Sequence, residues 1–347
     1  MKVIILRSMC DSAIIKQKRI WKMPQRNSLC SFSRVVACAI ISIWLCAVEA
    51  PGAETSLQKI RVGYVSPSTD NVLAPLAQNQ GFFRKRGIET EIIALRGGVQ
   101  MAQALLSDSL QFAQMAGSVL VRSVQSGADL VMIASYVDRI SYFLVARPEI
   151  HTIKDLSGKR IATASIGGSV DMVLRFSLKV SGIDPKNAIL LPSGPPMTRI
   201  AVIASNQMDA TIVPPENLDA AEKAGLKMVK DLSELDAYVQ HTGLVVRRSF
   251  LKENRQLTKA FLAGIVEAIE FYQRNDRATI DVLSKFTGIA DQRSVRDSYE
   301  FHKRLFPLPP YPSVEGFKTV LAEIGAPKNV TPDTFFDRSL LQELAGK

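Results

Sequence analysis

The sequence predicts an α/β protein of two lobes, each a doubly wound, mostly parallel sheet, followed by a helical C-terminal tail. Three observations carry this. Short β-rich runs alternate with amphipathic stretches from Lys59 onward, the pattern of parallel strands joined by crossover helices. The rhythm breaks once, around Pro148, and restarts. After Val246 the amphipathic runs are helical only. With 347 residues, 47% of them apolar, the chain can bury a sizeable core and is too long for one small domain.

In the first series, residues 60–65, 89–95, 110–115 and 130–135 read as strands, with helices over 71–80, 98–107 and 119–125 between them. Residues 141–146 form a further strand. The second series has strands over 159–163, 188–191, 209–213 and 227–229, and helices over 169–180, 197–205 and 215–224. Pro215 suits a first helical position, where its missing N–H has no partner anyway. Residues 241–246 are a strand without a place in the second series and read as the return crossing. This divides the chain into lobe one (57–147 with 241–347) and lobe two (148–240). In the tail, Leu257, Phe261, Leu262, Ile265, Ile269 and Tyr272 follow helical spacing, and 279–286, 294–305, 315–324 and 333–344 continue it, the last opened by Thr331, Pro332 and Asp333.

The first fifty residues differ. Eight basic residues precede or flank the apolar run Val35 to Val48, and small residues follow at Ala50, Gly52 and Ala53, which is the charge order of a cleaved secretory signal peptide over 1–50. The run falls short of the roughly 20 apolar residues of a membrane-spanning helix. A retained anchor is the competing reading. All four cysteines and both tryptophans lie in this leader, so the remainder has no disulfide, thiolate or cysteine-ligated metal available to it. The leader carries eight Lys and Arg and two acids, so the net charge of +10 falls to +4 without it, and no nucleic-acid surface is implied.

Pro75 to Gln80, Gly81-Phe82-Phe83-Arg84-Lys85-Arg86-Gly87-Ile88 and the strand after them, then Ile153-Lys154-Asp155-Leu156-Ser157-Gly158-Lys159-Arg160-Ile161-Ala162 and Asp209-Ala210, form a set of motifs running over most of residues 57–275. This set resembles the nitrate, sulfonate and taurine group of ABC solute-binding proteins, which includes thiamine-pyrimidine precursor receptors. The resemblance implies a periplasmic-binding-protein-like fold of the second type and a periplasmic location. It also implies a small-molecule ligand in the interlobe cleft and partnership of a monomer with an ABC permease and its ATPase. An exported sensor domain shares all of these features except the transport partners. Gly81 and Gly87 bracket a turn from helix to strand where glycine reaches positive φ cheaply, and Phe82 and Phe83 read as core beneath the first helix.

Ligands of open α/β sheets sit beyond the carboxyl ends of strands, where strand order reverses. That rule selects Ser66, Ser68 and Thr69 after the first strand, Gly98 after the second, Gly117 and Ser118 after the third, and Tyr136 and Arg139 after the fourth. In lobe two it selects Gly167, Gly168 and Ser169, and then Pro214 and Glu216. Free N–H groups of a helix start beside small residues form an anion site, which favours Gly167 to Ser169, although turns also use glycine pairs for shape alone. Arg139 either neutralises an anionic ligand or is a solvated rim residue, and Tyr136 either stacks on ligand or lines the wall. His151, His241 and His302 are scattered, and neither a zinc-protease motif nor a nucleophile elbow is present, so the expectation is a binder without catalytic residues, metal or cofactor. Yeast-type enzymes of thiamine-pyrimidine synthesis share this kind of fold and leave an enzyme as the remote alternative.

Overall fold

The computed structural model describes residues 57–346 apart from residue 96; the expected leader over 1–50 lies outside the described residues. Ten strands form two five-stranded sheets. They are β1 (Gln58–Tyr64), β2 (Ile88–Ala94), β3 (Phe112–Ala116), β4 (Leu130–Arg139), β5 (Phe143–Ala146), β6 (Arg160–Thr163), β7 (Ile189–Pro192), β8 (Ala210–Val213), β9 (Lys227–Asp231) and β10 (Tyr238–Arg247). Sheet one has the order β2-β1-β3-β10-β4 and sheet two the order β7-β6-β8-β5-β9. Both orders are the same pattern, with the fourth place taken by a strand antiparallel to its neighbours, β10 in one and β5 in the other.

Residues 141–146 were expected beside the first series; instead β5 hydrogen-bonds between β8 and β9 in sheet two. Only residues 140–142 separate it from the end of β4, too few for the crossover that would return a strand parallel to β4, and the chain passes into the other sheet where a hairpin would have stayed in the first. The two crossings are therefore residues 140–142 and 232–237, rather than positions near Arg147 and Gln240. Strand β10 returns into sheet one and pairs with both β3 and β4.

The connecting helices are α1 (Leu73–Asn79), α2 (Gly98–Leu106), α3 (Gly117–Gln125), α4 (Ser169–Val180), α5 (Pro196–Ala204) and α6 (Leu218–Lys223). The tail supplies α7 (Arg248–Glu253), α8 (Arg255–Arg274), α9 (Asp276–Thr287), α10 (Gln292–Lys303), α11 (Val314–Glu323) and α12 (Ser339–Leu344). The expected helix over 333–344 is interrupted: Phe335 is fully buried beside Phe317, and Phe336 pairs with Met132 alongside β4 before α12 begins. Burying the Phe335 ring and partly covering that of Phe336 outweighs continuing a helical turn.

On one face of sheet one, α1, α8, α9 and α12 cover an apolar core in which the Phe261 ring lies between Phe83 and Phe112, at 4.4 and 4.0 Å with nearly parallel planes. Gly264, inside α8, admits Phe83, since a Cβ there would stand 2.7 Å from its ring. Gly81 and Gly87 have φ of +73° and +75°, as the helix-to-strand turn requires. The other face of sheet one shares its core with sheet two: Met101, Leu105 and Met132 join Ile161, Val173 and Ile212, with Phe317 and Val320 of α11 in the same cluster. Helix α11 also reaches α4 through an ion pair between Lys179 and Glu323 at 2.8 Å. Thus one tail helix packs on the second series of elements.

Asp209 ties the start of β8 to β6, accepting from the Arg160 backbone N–H at 2.8 Å and from its guanidinium. Burial alone would raise this carboxyl, but the Arg160 hydrogen bonds and charge overcome that and hold it below the usual carboxylate value. A carboxyl with a depressed value stabilises the fold above its unfolded pKa, and that stability is lost as the pH falls through the folded one. Asp209→Asn should therefore lower the thermal midpoint at pH 7 and leave it nearly unchanged at strongly acidic pH. Phe261→Ala should cost about 3 to 5 kcal/mol in chemical denaturation, the usual range for a large aromatic ring removed from a core.

Candidate functional site

The chain steps from β1 to β2 and back across to β3, and from β6 to β7 and back across to β8, so the order reverses between β1 and β3 and between β6 and β8. The turns after these four strands are where a ligand site is expected in such sheets. They meet. Thr69, after β1, contacts Glu216, after β8, and Gly167, after β6, lies against the Arg122 side chain of α3.

The turn after β1 is held by a buried carboxylate. Asp70 accepts hydrogen bonds from the Ser68 hydroxyl, the Asn71 amide and, at 2.6 Å, the Thr242 hydroxyl of β10. Thr242 stands 2.9 Å from His241 Nδ1, and His241 Nε2 stands 3.1 Å from the Tyr142 hydroxyl. Burial lowers the His241 pKa and outweighs the opposing Asp70 charge, so the imidazole is neutral at pH 7. With its proton on Nδ1, every hydroxyl has one acceptor: Tyr142 donates to His241, His241 to Thr242, and Thr242 to Asp70. Burial, then the charge of Asp70, pushes the Tyr142 phenol far above its ordinary value, so it acts as a donor. Ser169, the first residue of α4, lies beside that phenol.

Glu216 closes the junction from the other side. It is 5% exposed, and its carboxyl accepts from the Thr69 N–H at 3.3 Å and from the Ser298 hydroxyl of α10 at 2.9 Å. Thr69 and Ser298 share a 2.7 Å hydrogen bond between hydroxyls. Burial raises this carboxyl to about 7, with the Asp70 charge adding to the effect and the hydrogen bonds opposing it. Nearby, Arg199 is fully buried on α5 and donates to the Thr211 hydroxyl and to the carbonyls of Gly194 and Ile212. Burial draws its pKa down to about 10.

Four helices start at the ends of strands facing this junction, and none has a side-chain cap. Their N-cap residues are Gly97 for α2, Ala116 for α3, Gly168 for α4 and Pro195 for α5, none of which carries an accepting side chain. Two tail helices do carry such caps: Asp291 accepts from Ser294 before α10, and Ser313 accepts from Gly316 before α11. Ser118, in the first turn of α3, is fully buried with no partner for its hydroxyl, and the Asn71 side-chain carbonyl is likewise unpartnered. First-turn N–H groups and buried polar atoms without protein partners are groups that a bound molecule can satisfy.

The residues expected from sequence divide accordingly. Ser68, Thr69, Ser169, Pro214 and Glu216 stand in or beside the junction, and Ser66 supports it through its carbonyl, which accepts from the Ser68 N–H. Gly167, with φ of +74°, donates its N–H to Asp171. Gly168 has ordinary backbone angles but no room for a side chain, because a Cβ would lie 2.7 Å from the Ser165 hydroxyl. Gly98 and Gly117 are required by packing: a Cβ would strike Val119 at 2.5 Å and the Gln240 carbonyl at 2.6 Å respectively. Tyr136 is fully buried, its ring in the core beneath the tail helices and its hydroxyl, like that of Ser118, without a partner. Arg139 lies 3.7 Å over the Tyr238 ring where β4 meets β10. Tyr142, Arg199, His241, Thr242 and Ser298 were not singled out. They sit in a crossing, inside a helix, on the antiparallel strand and in the tail, where a rule about strand ends does not look.

The chain matches the NMT1/THI5 like family over residues 71–278. It is 26% identical over 235 residues to a protein of Brucella abortus named as a binding protein, a match covering 66% of this chain and 72% of the relative. Among solved structures it is similar to the alkanesulfonate-binding protein SsuA of Xanthomonas axonopodis, bound to MOPS, with a TM-score of 0.68 and 18% identity over 81% of this chain and 98% of the other. The periplasmic nitrate-binding protein NrtA of Synechocystis superposes with a TM-score of 0.67 at 16% identity, over 84% of this chain and 89% of that one. The architecture is thus that of periplasmic binding proteins, and the chain belongs to the NMT1/THI5 like family.

Proposed function

We propose that the chain is the solute-binding subunit of an ABC importer. It is exported to the periplasm by a cleaved leader, acts as a monomer and delivers its ligand to a permease with its ATPase. The two lobes, expected over 57–147 with 241–347 and over 148–240, become 57–139 with 238–347 and 143–231, because β5 belongs to sheet two and β10 to sheet one. The crossings at 140–142 and 232–237 act as the hinge, and a ligand favours the closed form by its higher affinity for it. No step of chemistry on the ligand is needed.

The observation that carries the ligand class is a pair of helix starts without side-chain caps beside the junction where Thr69 meets Glu216: α3, with the unpartnered Ser118 hydroxyl, and α4, with Ser169 next to Tyr142. Helix N-termini carry partial positive charge and unpaired donors, so the preferred guest brings acceptors: an oxyanion of the sulfonate, nitrate or taurine kind. The names of the similar solved structures support the same class. Arg139, stacked on Tyr238, is left out of the anion site.

A thermal-shift screen with nitrate, taurine, ethanesulfonate and an aminopyrimidine tests this, since a ligand bound only by the native state raises the midpoint. An oxyanion should produce the shift, and Gly168→Leu should reduce its affinity more than tenfold, the equivalent of losing one charge-assisted hydrogen bond at about 1.5 to 3 kcal/mol. A shift with the pyrimidine alone, or unchanged affinity in a folded Gly168→Leu protein, would overturn the oxyanion assignment.

A further inference from the structure

Glu216 presents a problem of charge. Its carboxyl is buried where two turns meet a tail helix, and among the described residues no cationic side chain lies within ion-pair distance of it. The groups facing it come from every packed element. Asp70, after β1, has the same sign; Tyr142, between β4 and β5, and Tyr272, on α8, are neutral phenols within reach of its field. On α10, Ser298 donates to it, and His302 turns Nδ1 toward the Ser298 carbonyl while burial holds its pKa near 4, leaving it uncharged. Arg199, the buried guanidinium of this region, spends donors on Thr211, Gly194 and Ile212. Parting of the two turns would return Glu216 to water, where a carboxylate is comfortable; meeting removes that water and leaves Asp70 opposite. A ligand anion at the helix starts would add a third negative charge.

We propose that Glu216 is a specificity-determining positioning residue: on the acid side of neutrality the closed cleft holds it as the neutral acid, so closure there takes up a proton, which joins a carboxylate oxygen. This rests on the reading that the two lobes close around a ligand. It gives the protein a preference that its helix starts alone would not give. Protonated, Glu216 adds no repulsion to an anion and can still accept from Thr69 and Ser298; ionised, it opposes anions and favours amines. The sign follows from the direction of the shift. A carboxyl raised in the closed form, from 4.5 to about 7, makes closure most favourable below its ordinary value. The closed-to-open ratio then falls about tenfold per pH unit until the raised value is passed.

The proposal is tested on the purified protein, without a ligand, by two measurements. Carbon-13 NMR of protein labelled at glutamate carboxyls should show one resonance titrating near neutrality, absent from Glu216→Gln. Small-angle scattering between pH 5 and 8 should show the radius of gyration rising with pH in the wild type and staying flat in Glu216→Gln, with Glu216→Asp restoring the dependence. Titration of Glu216 in the ordinary carboxylate range, a wild-type radius that does not change with pH, or an identical rise in Glu216→Gln would each overturn it. The wild-type titration decides the matter even if a variant fails to fold. Failure of every oxyanion to bind at any pH would instead count against the proposed function, and neither of these readouts depends on it.

Discussion

Parallel strands that are joined by right-handed crossovers all deliver their carboxyl ends to one edge of the sheet, and the helices that return from them all begin there. The rest of this molecule follows from having two such edges face each other. The strand orders β2-β1-β3 and β7-β6-β8 place the reversal of winding at the middle of each edge, so the turns bearing Thr69, Ser118, Gly167 and Glu216 come from the centre of the sheets. One strand in each sheet runs against the others, and each adjoins a crossing: β5 follows the first and β10 follows the second. A strand entering from the neighbouring sheet arrives at the shared edge and can only run away from it, so the antiparallel place is fixed by connectivity.

Two carboxylates near this edge show how environment separates identical chemistry. Asp70 receives two hydroxyls and an amide within its own sheet's elements, and it anchors a chain of donors ending at Tyr142. Glu216 receives one short hydrogen bond, from Ser298, and one longer from Thr69, both from outside its own sheet. The first organises a turn; the second reports on whether two turns touch. This division rests on which side of the junction each partner comes from, and no feature of local sequence around Glu216 announces it.

Much of the fold was legible from sequence because periodicity and turn chemistry are local. Gly81 and Gly87 take the positive φ their positions demanded, and Phe83 fell into the core as its place beneath the first helix implied. What was not legible is what depends on partners far along the chain. The strand at 143–146 has the composition of its neighbours, and the three-residue link before it fits a hairpin on β4 as well as a crossing, so only its pairing with β8 and β9 tells which sheet it joins. Gly98 and Gly117 are selected by their place after strand ends, but their lack of a side chain serves packing against Val119 and the Gln240 carbonyl. The site was half visible for the same reason. Strand ends pointed to Thr69 and Glu216, whereas Ser298 lies 82 residues beyond Glu216 and His241 sits within a strand, where no positional rule reaches.

The apolar cluster that runs from Met101 and Met132 through Ile161 and Ile212 to Phe317 has a consequence for how the molecule comes apart. A domain that can be excised keeps its own core when its neighbour is removed. Here the second sheet buries its inner face against side chains from the first and from α11, so cutting at the two crossings would expose those residues to water on both fragments. The two sheets share this cluster, while sheet one keeps a second core beneath the tail helices and sheet two a third around Val145, Ile200 and Val213. Heat or denaturant should therefore meet them as a single cooperative unit, one melting transition rather than two.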